Sequence, residues 1–186
     1  ATSCRQEGPV PAELISSLLP LPDTESEIAS VSRALGVTGK DHFLVGRNAT
    51  EEAFRNRSLD AYRILYFATH GLLPGELKCQ AEPGLVLTPP AQSDDRQNDG
   101  LLEASEIAAM RVNADLVVLS ACNTAGAGGR FGGDALSGLA ESFFFAGARN
   151  LLVSHWQVPS AATTQLMSTL FESAGVDLNQ GISPSL

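Results

Sequence analysis

Cysteine, tryptophan and positive charge are all scarce in this chain. Its three cysteines, Cys4, Cys79 and Cys122, are scattered over 186 residues. An odd, widely spaced set is not a disulfide framework. It points to a reducing compartment, so the expected location is cytoplasmic. Only 12 lysines and arginines stand against 21 aspartates and glutamates, a net charge of −9. A surface so poor in cations cannot track a phosphate backbone, which argues against nonspecific nucleic-acid binding but leaves a basic peptide partner open. Apolar runs approaching the ~18 residues of a membrane span are missing, so no membrane association is expected. The first residues, "ATSCRQEGPVPAELISSLLPLPD", lack the charge-then-apolar order of a secretory signal. The sequons "NAT" (48–50) and "NRS" (56–58) are therefore read as chance matches. Metal-ligand spacing is missing too. His70, Cys79, Cys122 and His155 form no C-x₂-C or H-x₃-H pair, so neither metal nor cofactor is expected. "GAGGRFGG" (126–133) lacks the Lys-Ser/Thr of a P-loop and the dinucleotide spacing, and reads as a loop.

What is present suits one compact domain, with 44% apolar and 18% charged residues. Residues 1–22 hold four prolines and no clear period, and read as a tail or linker before a domain over 23–186. "TESEIASVSRAL" (24–35) predicts a helix, with Thr24 and Glu27 as a capping box. "HFLVG" (42–46) predicts a short strand, and "ATEEAFRNR" (49–57) a helix capped by Thr50. "YRILYFA" (62–68), "GLVLT" (84–88), "ADLVVLSA" (114–121) and "NLLVSHW" (150–156) predict strands. A long loop is expected over 71–84 and a polar, mobile one over 89–100. "LLEASEIAAM" (101–110) enters a helix; "DALSGLAESFFFAGA" (134–148) predicts another, ended by Gly147, and "SAATTQLMSTLFESAG" (160–175) a last one. Strands alternating with helices predict a layered α/β fold with a largely parallel sheet.

Two strands end alike. "ILYFATHG" (64–71) runs into His70, and "LVVLSACNT" (116–124) runs into Cys122, 52 positions later (122 − 70). In open α/β sheets, sites gather at the carboxyl ends of strands. Adjacent parallel strands would therefore set these two side chains together. A free thiol with a pKa of about 8.5 holds little thiolate at neutral pH. An imidazole beside it can take the thiol proton and later protonate a leaving amine. The backbone N–H groups of Gly71 and Cys122 are candidates for holding the oxyanion. Asp134 is read as a helix cap, and Phe143, Phe144 and Phe145 as helix residues packed on the sheet. Asp94, Asp95 and Asp99 read as solvated, with contact to a basic substrate residue as the sharper alternative.

The motifs "YFATHG", "GLVLT", "DGLLEASEIAAMRVNADLVVLSACNTA", "GLAESFFFAGARNLLVSHWQV" and "AATTQLM", in that order, resemble the CHAT domain. These modules are caspase-like, often found with TPR repeats, and belong to the clan of caspases and separase. The resemblance spans roughly residues 20–175. It implies a caspase-like three-layer α/β sandwich and a His70/Cys122 dyad in a cysteine endopeptidase, a thiol protease acting on a protein or peptide substrate. Adjoining TPR or other repeats would deliver that substrate. Trp156 would wall the cleft, with His155, Asp99 and Ser160 as further substrate contacts. Ser160 stands where members often carry an acid, in W-x-V-x-D. Complete members begin earlier, with another strand and helix, so the resemblance implies a partial domain with an open sheet edge. The alternatives are a catalytically silent or partner-gated signalling scaffold, and a small-ligand-binding flavodoxin-like domain.

Overall fold

The computed structural model describes residues 8–37, 39–78, 80–91, 95–120, 132–153 and 160–173. The elements are α1 (Ala12–Ser16), α2 (Thr24–Ala34), α3 (Glu51–Arg55), β1 (Ile64–Phe67), β2 (Gly71–Leu72), β3 (Gly84–Val86), β4 (Leu101–Glu103), α4 (Ala104–Ala108), β5 (Leu116–Leu119), α5 (Gly132–Phe145), β6 (Leu151–Val153) and α6 (Ser160–Ser173). Among the described residues no helix is long and apolar enough to cross a membrane.

Two sheets organise them. The central one is parallel, in the order β1-β5-β6, with Phe67 opposite Leu119 and Leu119 opposite Val153. Strand alternation divides its side chains between two layers. Ile64, Tyr66, Leu116, Val118 and Leu152 pack with Val31 of α2 and with Met167 and Phe171 of α6. Leu65, Phe67, Val117, Leu119, Leu151 and Val153 pack on the opposite face with Phe54 of α3, Ile107 of α4, and Leu139 and Phe143 of α5. Both faces are covered by helices, so these strands read as unbroken apolar runs. This is the α/β sandwich with a parallel sheet expected from the sequence, and it is compatible with the caspase-like arrangement. The second sheet is antiparallel, in the order β2-β3-β4.

Several local expectations change. "HFLVG" forms no strand: residues 40–42 and 46–48 are 3₁₀ turns, and His42 sets its ring edge-on to Tyr62, 5.9 Å between centroids. The apolar run is too short to compete without a neighbouring strand. The "GLVLT" strand is real but belongs to the small antiparallel sheet. The loop over 71–84 contains β2, and "LLE" ahead of α4 is β4 rather than the helix's first turn. There Glu106 reaches back to the Glu103 N–H at 2.8 Å, the returning half of a capping box. The capping box expected at Thr24 and Glu27 does not form. Thr24 donates to the Leu21 carbonyl at 2.8 Å, and Glu27 turns inward to accept from Tyr66. Thr50 does cap α3, accepting from Ala53 N–H at 3.1 Å. Within the expected tail, α1 buries Ile15 against Leu72, Leu77, Val86 and Leu101.

The 95–100 stretch, expected to be mobile, is tied down. Arg96 pairs with Glu103, and Asp99 is buried at 1% exposure. Gly147 ends α5 at φ +106°, where a Cβ would sit 2.3 Å from the Val112 carbonyl oxygen. Of the three phenylalanines expected to pack, only Phe143 does; Phe144 and Phe145 are exposed. They follow Phe143 around the helix and so face outward.

Candidate functional site

Ladder geometry sets two strand ends side by side. The Ser120 N–H donates to the Phe67 carbonyl at 2.8 Å, so β1 and β5 end side by side and point the same way. His70 follows three residues after the end of β1, and position 122 three residues after the end of β5. Cys122 itself lies outside the described residues, as do His155, Trp156 and Asp94. The last described residue of β6 is Val153, three positions before Trp156, and β6 ends at the same edge. Ser160 opens α6.

The backbone around His70 is held from two directions. Its carbonyl accepts from Val86 N–H at 2.8 Å, and the Thr69 hydroxyl donates to the Val86 carbonyl. Strand β3 thus fixes the turn that leaves β1. The His70 ring is buried, and its Nε2 lies 2.7 Å from the Leu19 carbonyl oxygen. A carbonyl only accepts, so Nε2 is the donor here, and in the neutral ring Nδ1 is the nitrogen with the lone pair. Leu19 has no chemical signature in sequence. Its contribution is a main-chain oxygen delivered by the Pro-rich turn between α1 and α2, and only the fold reveals it.

Gly71 pairs opposite Leu85. Since Val86 N–H bonds the His70 carbonyl, antiparallel alternation makes Gly71 a non-hydrogen-bonded position, and its N–H points away from β3. That donor is left unused by the ladder, next to His70. A second polar chain reaches the end of β5. Ser120 hydrogen-bonds the Tyr66 oxygen, and Tyr66 donates to Glu27 Oε1 at 2.5 Å. Burial, then the hydrogen bond to Glu27, push the Tyr66 hydroxyl pKa up, so it stays a neutral donor.

Asp99 sits elsewhere. Its Oδ2 accepts from Val10 N–H at 2.6 Å and its Oδ1 from Leu101 N–H at 2.9 Å. It fastens the N-terminal segment to the start of β4. Beside it, Glu51 accepts from Gly100 N–H at 2.6 Å, and Arg55 bridges Glu51 and Glu106 at 3.4 and 2.9 Å. Burial raises the pKa of Glu51, Asp99 and Glu103, and raises Glu106 to about 7. Among the described residues no group of acids, histidines and cysteines is arranged to hold a metal ion.

An α/β sandwich that carries a buried, hydrogen-bonded histidine at the carboxyl edge of a parallel sheet is the class that fold and site define. The particular family follows from comparison. The CHAT domain model matches residues 11–184, and the chain belongs to that family, which is caspase-like and peptidase-related. Tetratricopeptide repeat protein 28 of Mus musculus is 28% identical over 180 residues, covering 83% of this chain and 7% of that protein. The chain therefore spans a small part of that relative's length. No solved structure matches it.

Proposed function

We propose that the chain is a cysteine endopeptidase working through Cys122 and His70. The observation that carries this is the hydrogen bond between His70 Nε2 and the Leu19 carbonyl, just beyond the shared edge of β1 and β5. With Nε2–H donating to the Leu19 carbonyl, Nδ1 of the neutral ring would accept the thiol proton of Cys122. The thiolate attacks the scissile carbonyl carbon, and the N–H groups of Gly71 and Cys122 receive the oxyanion. The imidazolium returns its proton to the leaving amine, and water then hydrolyses the thioester with His70 as base. Trp156, His155 and Ser160, which follow β6 in sequence, would line the substrate cleft. TPR or other repeats of the same or a partner protein would present the substrate, a reading supported by the similarity to a repeat protein.

One observation favours the second reading, a silent or partner-gated scaffold: the His70 ring is only 9% exposed. One experiment separates the two. The wild-type protein, Cys122→Ala and His70→Ala are treated with an acyloxymethyl-ketone probe library, then with a diverse peptide pool. Labelling at Cys122 that needs His70, with cleavage lost in both variants, establishes the peptidase. No labelling and no cleavage, even with the repeat region supplied, leaves the scaffold.

A further inference from the structure

Asp99 is a buried carboxylate that the proposed chemistry leaves unused. At 1% exposure it accepts from Val10 N–H at 2.6 Å and from Leu101 N–H at 2.9 Å. The bond to Val10 joins residues 89 positions apart and opens a segment with little slack. Leu14 N–H donates to the Pro11 carbonyl, Ser17 N–H to Glu13 and Leu18 N–H to Ile15, at 2.9, 3.0 and 3.1 Å. Leu19 comes next, and its carbonyl oxygen lies 2.7 Å from His70 Nε2. Pro20 then confines Leu19 to extended backbone. Val86 ties the two ends together. Its side chain packs under Ile15 of α1, and its N–H holds the His70 carbonyl at 2.8 Å.

We infer that Asp99 is a positioning residue for His70: by anchoring Val10 it seats the 10–19 segment so that the Leu19 carbonyl meets the imidazole. As a role in catalysis this rests on the peptidase reading; as a hold on the ring it does not. Ile15 keeps α1 down on the antiparallel sheet, but apolar contact is non-directional and leaves the segment free to slide along it. A hydrogen bond to a carboxylate is directional and among the stronger kinds, so the Val10–Asp99 bond fixes where the segment stops. A slip at Val10 is passed along the hydrogen-bonded turns of α1 to Leu19, and it takes the carbonyl out of reach of Nε2.

The test uses the whole chain and nitrogen-resolved NMR of the His70 ring, assigned with His70→Ala, at a pH where the ring is neutral. The wild type should show Nδ1 unprotonated and a slowly exchanging Nε2 proton. Asp99→Ala and Ile15→Ala should each speed that exchange at least about tenfold and mix the two tautomers. Asp99→Asn keeps a single acceptor oxygen and should give a smaller change in the same direction, and with Ile15→Ala it decides the question if Asp99→Ala does not fold. Glu51→Ala is the control. It removes a neighbouring buried carboxylate that holds Gly100 and not the 10–19 segment, so it should lower stability and leave the ring unchanged. An unchanged ring in the folded Asp99 variants, or an equal change in Glu51→Ala, would overturn the inference. The rate of Cys122 labelling should fall about tenfold in Asp99→Ala, in step with the ring. A wild type that never labels sinks the peptidase reading, while the ring response still decides whether Asp99 holds His70.

Discussion

His70 shows how much of a side chain's setting comes from distant main chain. Its carbonyl is held by Val86 and its ring Nε2 by the Leu19 carbonyl, and the N–H of the next residue, Gly71, points away from the ladder. Because Leu19 contributes through its main chain and its side chain is 82% exposed, Leu19→Ala should change stability by less than about 0.5 kcal/mol and leave the Cys122 labelling rate unchanged. Denaturant titration and probe kinetics check both halves. Tyr66→Phe is different. It removes the hydroxyl that satisfies Glu27, itself 3% exposed, and the partner of Ser120. A loss of about 1–3 kcal/mol is expected, read as a fall in urea midpoint at unchanged slope. The place of His70 beyond the end of β1 was legible in sequence, because a polar residue after an apolar run is a local signal. Leu19 and the Glu27–Tyr66–Ser120 chain were not, since each joins residues far apart in sequence.

At the scale of elements, the apolar runs proved reliable where a neighbour strand existed. β1, β5 and β6 lie where their Val, Leu and Ile runs put them. "HFLVG" has the same composition but no partner, and it coils into 3₁₀ turns around it. Sheet membership was beyond local reading: nothing in "GLVLT" tells a parallel strand from an antiparallel one. Helix ends obeyed local chemistry at Thr50 and Gly147, but Glu27 left its expected cap for a buried hydrogen bond with Tyr66. Gly147→Ala tests the clearest of these ends. It combines a φ of +106° with a Cβ 2.3 Å from the Val112 carbonyl oxygen. Destabilisation well above the ~1 kcal/mol of an ordinary glycine replacement is expected, with a matching drop in thermal midpoint.

Across the whole molecule, the acidic balance is not confined to the surface. Glu51, Asp99, Glu103 and Glu106 converge around Arg55 and Arg96 and clamp the N-terminal segment, α3, β4 and α4 together. Burial raises the pKa of all four in the folded state, Glu106 to about 7 from 4.5. A carboxyl whose folded pKa is raised binds more protons folded than unfolded between those two values. Stability should therefore rise as the pH falls from about 7 toward 4.5, and stay flat above 7 as far as Glu106 is concerned. Asp115 acts in the opposite sense. Its pKa is lowered by the Arg63 hydrogen bond, so its contribution is lost only on acidification below its ordinary 3.8, outside this window. Urea melts at pH 5, 6, 7 and 8 should show the trend, and Glu106→Gln should flatten it.

By itself the sequence determined the fold class and the positions of the long apolar strands, and it set His70 and Cys122 each three residues beyond a strand end. Those features are written in local periodicity and in residue types that few other positions share. Tertiary structure alone decided that β5 lies between β1 and β6 and that β3 belongs to the other sheet. It alone brought the Leu19 carbonyl to the imidazole and put Asp99 in a clamp rather than in solvent. Such outcomes depend on which distant segments meet. A backbone carbonyl is the same at every residue, and a carboxylate looks the same in sequence whether water or two main-chain N–H groups surround it.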